Sequence, residues 1–123
     1  MPLDWRSGGL AAGLACYRKQ EFFEAHEHWE DVWNELADPE KSFLQGLIQV
    51  TVAMHHYQHA NRAGALSLLQ RALRRLERCP ECFGGVDVVG LVSDVRGWLH
   101  ALENGAPSPP AFPAIHLVGR AQP

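Results

Sequence analysis

The stretch from Glu40 to Ala60 carries side chains that demand burial on two opposite faces. In a helix turning about 100° per residue, Phe43, Leu47, Val50, Met54 and Tyr57 fall on one side. Ile48 and Val52 fall on the other, together with Gln45, Gln49 and His56. A surface helix shows a single apolar stripe, so a helix with two belongs in the middle of a bundle with partners on both sides.

The remaining segments can be read as those partners. A first helix is expected over about Asp4 to Lys19, with Leu10, Leu14 and Tyr17 on one face. Its small residues Gly8, Gly9, Ala11, Gly13 and Ala15 permit close approach of a neighbour. A second, about Glu21 to Ala37, stops at Asp38-Pro39, because proline disfavours helical geometry in the residue before it. Asn61 reads as the N-cap of a fourth helix, with Leu66, Leu69, Leu73 and Leu76 on its apolar face and Arg71, Arg74, Arg75 and Arg78 opposite. Asp87 can cap a fifth, carrying Val88, Leu91, Val92, Val95, Trp98, Leu99 and Leu102 as far as Asn104-Gly105, with Gly90 and Gly97 interrupting it. Beyond about residue 106, four prolines between Pro107 and Pro113 favour an extended tail, which Phe112, Ile115, Leu117 and Val118 would hold against the bundle. No strand pattern competes. The expectation is an all-α protein: an antiparallel bundle of four to five helices, residues 1–123 as one domain, with a proline-rich C-terminal tail over about 106–123 packed on it.

Composition narrows the class of function. With 123 residues and 46% hydrophobic content, the chain can bury a continuous core without disulfides or a structural metal. A formal charge of -3 and a pI near 6.1 give no overall electrostatic reason to expect nucleic acid or an anionic membrane as partner. No apolar run approaches the length of a membrane span. Three cysteines, an odd number, and no apolar signal segment behind a basic start fit a reducing compartment, so a cytoplasmic location is expected.

The second helix places ionisable groups in an apolar stripe. His26 and Glu30 fall between Phe22, Phe23, Trp29 and Trp33. Burying such groups costs several kcal/mol, roughly, unless they find partners. Gln45, Gln49 and His56 lie within about 40° of one another on the third helix. A short connection makes these two helices antiparallel neighbours, which brings the sets together. Their hydrogen-bonding inventories are complementary, since glutamate accepts while amide and imidazole do both. A buried polar layer of His26, Glu30, Gln45, Gln49 and His56 is therefore expected, roofed by Trp33 with its indole nitrogen as a further donor. Glu27, about 100° from His26, stands at the edge of the stripe, facing a cleft or solvent.

The pattern Phe22-Phe23-Glu24-Ala25-His26-Glu27, then Glu30 and Trp33, then Phe43-Leu44-Gln45-Gly46-Leu47-Ile48-Gln49, His55-His56, and Asn61 with Gly64-Ala65, resembles the domain of unknown function 309 family. The resemblance spans about Leu10 to Leu76. It implies a small all-helical bacterial or archaeal protein whose activity is unsettled. Trp29 stands where that family usually has leucine, and Cys79-Pro80-Glu81-Cys82 lies outside the pattern.

The plain reading of the polar layer is architectural: paired polar groups that fix helix register, in a structural or protein-interaction module whose exposed faces meet another protein or a second copy. The alternative is a small-molecule or metal-dependent enzyme, either with His26 as proton carrier, Glu30 orienting it, and Gln45 and Gln49 fixing substrate polar atoms, or with His26, Glu30 and His56 holding a metal that activates water. Metal sites in bundles commonly repeat a Glu-x-x-His unit. Here His-Glu-x-x-Glu occurs once, and Glu30 replaces the second histidine of the zinc-peptidase motif, so neither metal nor other cofactor is expected. The Cys79/Cys82 pair reads as a turn, the arginine face as solvated, and His55 and His59, one turn apart, as partners of the helix dipole.

Overall fold

The computed structural model describes residues 3–105 and 110–118. Five helices dominate it: α1 (Gly8–Arg18), α2 (Phe22–Trp33), α3 (Glu40–Gln58), α4 (Arg62–Leu76) and α5 (Val88–Glu103). A two-stranded hairpin, β1 (Cys82–Phe83) and β2 (Val86–Asp87), stands between α4 and α5. The all-α expectation holds, with this small sheet as its exception.

The first helix starts four residues later than expected. The Asp4 carboxylate accepts from the Arg6 amide at 3.0 Å and from the Ser7 hydroxyl at 2.6 Å, closing a turn of its own, and Gly8 follows with a φ of 65°. Trp5 is thereby freed to sink into the core, where its indole donates to the Gly84 carbonyl at 2.7 Å.

From Gly8 onward α1 approaches α2 closely. A Cβ on Gly13 would lie 2.2 Å from Trp29 Nε1, and one on Gly9 would lie 2.7 Å from a Val32 methyl. Trp29, fully buried, donates to the Leu10 carbonyl at 3.2 Å, stacks on Tyr17 and meets Trp5 edge-on. This anchor sets how far α2 is rotated about its own axis.

α3 lies between α2 and α4, as its two apolar faces require, with Phe43, Leu44, Leu47, Ile48, Val50, Ala53 and Met54 all buried. Asn61 caps α4 by accepting from the Gly64 amide at 2.9 Å. The buried stripe of α4 is Ala65, Leu69, Ala72 and Leu76, while Leu66 and Leu73 are only half-buried. Close packing explains the offset: Leu76 sits where a Cβ on Gly46 would be 3.1 Å away, so the alanine side of α4 faces α3.

Gly84 and Gly85, both at positive φ, form the two-residue turn of the hairpin, and Phe83 packs edge-on against Phe43. Asp87 then caps α5, accepting from the Gly90 amide at 3.1 Å, and α5 runs unbroken through Gly90 and Gly97.

The tail over residues 110–118 is extended and pinned at successive points. Trp98 donates to the Ala111 carbonyl at 2.8 Å, buried Tyr17 to that of Pro113 at 2.6 Å, and Arg18 to that of Ile115 at 2.9 Å. Phe112 stacks on Trp98 and touches Phe22, and Ile115 is buried. Leu117 and Val118, expected to face the bundle, are exposed by more than a third, because their backbone instead extends the hairpin: Leu117 bridges Val86, and the Val118 amide donates to Gly85. Residues 106–109 and 119–123 of the expected tail lie outside the described residues.

Candidate functional site along the seam between α2 and α3

The polar groups of α2 stand at the rim of the core. Phe22, Ala25 and Trp29 are the buried residues of α2, so its inward direction is set by the Trp29 wedge and by alanine rather than by the average of its aromatic rings. Phe23 is 46% exposed and Trp33 is half-buried. Relative to the stripe expected from all four rings, α2 is turned so that the side chain of His26 is 20% exposed and that of Glu30 55% exposed. The expected burial of Glu30 is therefore corrected, and Glu27 faces solvent.

Within that frame His26 is held from two sides. Its Nε2 lies 3.1 Å from Glu30 Oε2, and its Nδ1 lies 3.3 Å from the Phe23 carbonyl oxygen. Both neighbours accept, so a neutral ring can donate to one of them and a protonated ring to both. His26 also closes one end of a pocket of about 270 Å³, lined by Phe22, Phe23, His26, Val52, His55 and His56. Phe23 spans the two helices, its ring 5.5 Å from those of both His26 and His55.

His55 is the residue that sequence reasoning placed elsewhere. Partial burial holds its imidazole below the ordinary range, reinforced by His59, His56 and His26, with Glu24 opposing. The neighbouring rings are fixed in turn: His59 Nδ1 lies 2.9 Å from the His55 carbonyl oxygen, and the Asn61 amide nitrogen lies 3.3 Å from His56 Nδ1. The signal was the run His55-His56 itself, which puts two adjacent imidazoles of α3 in the lining of one pocket.

The other candidate residues lie towards the opposite end. Gln49 is buried, and its Oε1 finds no hydrogen-bond partner among the described residues. The same holds for Trp33 Nε1, whose ring packs beneath the Lys41 ammonium at 4.2 Å instead of roofing the histidine and glutamate. Gln45 is half-buried and lines a separate cleft with Trp33. Among the described residues no hydrogen bond joins Gln45 or Gln49 to His26, Glu30 or His56. The seam thus holds an imidazole end and an amide–indole end rather than one closed layer.

No three His, Cys, Asp or Glu side chains among the described residues converge as a metal-binding set, so His26, Glu30 and His56 do not form one. All three cysteines are free. Cys79 is half-buried and its thiol is pushed up by that burial, the opposite of what a reactive thiolate needs, whereas Cys82 is exposed at the start of β1. Arg71, Arg74 and Arg78 are exposed as expected, but Arg75 folds over onto α3 and donates to the Ser42 hydroxyl at 3.0 Å.

The family model described as Domain of unknown function (DUF309) matches residues 10–68. Over that stretch the chain is similar to this family. The matched stretch contains every candidate residue of the seam, from His26 to His56, and ends before Arg75, the hairpin and α5. An uncharacterised protein of Aquifex aeolicus (strain VF5) is 29% identical over 80 residues, covering 64% of this chain and 23% of its own length. The uncharacterised protein YpuF of Bacillus subtilis (strain 168) is 38% identical over 61 residues, covering 47% of this chain and 34% of its own. The chain thus spans about a quarter to a third of these relatives. Among the described residues no helix is long and apolar enough to cross a membrane.

Proposed function

We propose that the imidazole end of the seam binds a small molecule and can move a proton to or from it. The observation that carries this reading is the convergence of His26, His55 and His56 on one small pocket whose other walls, Phe22, Phe23 and Val52, are apolar. Such a combination, an apolar concavity with a few polar groups aimed into it, is the usual make-up of a ligand site. At about 270 Å³ the pocket suits a compact ligand with a flat apolar body against Phe23 and one polar group within reach of the imidazoles. The environments of the histidines differ in a way that suits proton transfer: Glu30 and the Phe23 carbonyl orient His26, while partial burial and neighbouring rings disfavour the charged form of His55. Glu30, largely exposed, serves as an orienting group for His26.

The test is NMR of histidine-labelled protein against a panel of small aromatic acids, amides and amines. The reading expects at least one class to shift the ring signals of His26, His55 and His56 along one saturating curve, with His26→Ala abolishing saturation. A panel that leaves these signals unmoved, or binding that persists undiminished in His26→Ala, contradicts it.

A further inference from the structure

At the opposite end of the same helix pair lies a cleft of about 380 Å³ lined by Trp33, Asp38, Lys41, Ser42, Gln45 and Arg75. Two cations from different helices stand in it, Lys41 on α3 and Arg75 on α4. Each is positioned by a neutral partner: the Lys41 ammonium by the face of the Trp33 indole, and the Arg75 guanidinium by the Ser42 hydroxyl. Among the described residues neither is in an ion pair, in contrast to Arg96, which pairs with Glu77. The one carboxylate in the lining, Asp38, is engaged by the Ser42 backbone amide at 3.0 Å. Since Arg75 donates to Ser42 Oγ, the hydroxyl proton is left to donate, and the Gln45 amide adds a further donor.

We infer that this cleft is an oxyanion site, which takes the phosphate or carboxylate group of a small molecule between Lys41 and Arg75. The guanidinium offers paired donors to two oxygens, the ammonium is a mobile point charge, and the hydroxyl and amide supply neutral hydrogen bonds. The two cations outnumber the single carboxylate of the lining, Asp38, and since both are held by uncharged groups no ion pair has to be broken when an anion enters. The site uses none of the side chains of the imidazole pocket, so it stands or falls separately from the proposal above.

The experiment titrates the ¹⁵N-labelled protein with inorganic phosphate and, in parallel, with acetate and with sodium chloride at matched ionic strength, following indole and backbone amide signals. The Trp33 indole and the amides of Lys41, Ser42 and Gln45 should follow a saturating curve with phosphate and show no saturation with chloride. Lys41→Gln and Arg75→Gln should each weaken phosphate binding by about tenfold or more. Arg71→Gln, an exposed arginine of α4 outside the cleft, should change it by less than about twofold. Saturation by acetate as well supports the oxyanion site with a carboxylate as an accepted group. Shifts that merely track chloride, or equal weakening by Arg71→Gln, overturn it. Should Arg75→Gln fail to fold, Lys41→Gln, a change at a half-exposed helix position, carries the comparison alone.

Discussion

Replacing Gly13 and Gly97 by alanine should change stability in opposite directions, although both glycines sit inside helices. Gly97 is exposed in α5 and a Cβ there meets nothing within 4 Å, so Gly97→Ala should gain about 0.5–1 kcal/mol from helix propensity alone. At Gly13 the same gain is opposed by the Trp29 ring, whose Nε1 and Cδ1 would lie 2.2 and 2.4 Å from the new carbon. The ring has little room to retreat, being fully buried, stacked on Tyr17 and bonded to the Leu10 carbonyl. Overpacking of this kind costs about 1–3 kcal/mol, and breaking the indole hydrogen bond costs about 1 more. Set against a propensity gain of about 1 kcal/mol, the net loss for Gly13→Ala should be about 1–3 kcal/mol. Chemical denaturation of the two variants beside the parent measures both signs. A Gly13→Ala protein as stable as the parent would mean that Trp29 is not wedged against α1. The rotation of α2 that brings His26 to the rim would then lose its cause.

Other consequences are quickly checked. Tyr17→Phe removes the hydroxyl that donates to Pro113 and leaves that buried carbonyl unpaired, so it should cost about 1–2 kcal/mol and loosen the tail, visible as faster amide exchange at Ala114 and Ile115. Asn61→Ala removes the acceptor of the Gly64 amide and should cost about 1 kcal/mol in thermal or urea unfolding. Because the folded environment lowers the affinity of His55 for its proton, the unfolded chain binds that proton more readily. Its contribution to stability is therefore full above the ordinary imidazole value near 6.5 and lost as pH falls below it. His55→Asn should flatten the decline of melting temperature between about pH 7 and 5, and an unchanged slope would count against a neutral His55.

The long-range plan was legible where one residue type permits few alternatives. A helix with two apolar faces had to be central, and Asn61 and Asp87 announced the helix starts that they cap. What escaped depended on contacts between segments distant in the chain. The angle of α2 was set by Gly13 accepting the Trp29 ring, and an average over Phe22, Phe23, Trp29 and Trp33 misplaced it by enough to expose Glu30. Arg75 looked like a fourth member of a solvated face because nothing local marks Ser42, 33 residues away, as its partner. The hairpin was hidden by its length: two residues per strand give no alternation to read, although Gly84-Gly85 marked the turn. In the seam, sequence reasoning expected His26, Gln49 and His56 to close into one layer, whereas His26 and His56 line a pocket with His55, which was set aside as a helix-end histidine, and Gln49 lies apart from it. The pocket arises from the antiparallel approach that brings Phe23 against His55.

If, as proposed, the histidines of the seam serve binding and not the cohesion of the bundle, equilibrium denaturation of His26→Ala should show almost no loss of stability. His26 is partly exposed and its bond to Glu30 is a one-turn pair on the surface of α2, so the loss should be no more than about 0.5 kcal/mol. A loss of about 2 kcal/mol or more would show that the imidazole holds the fold together and would contradict the binding role.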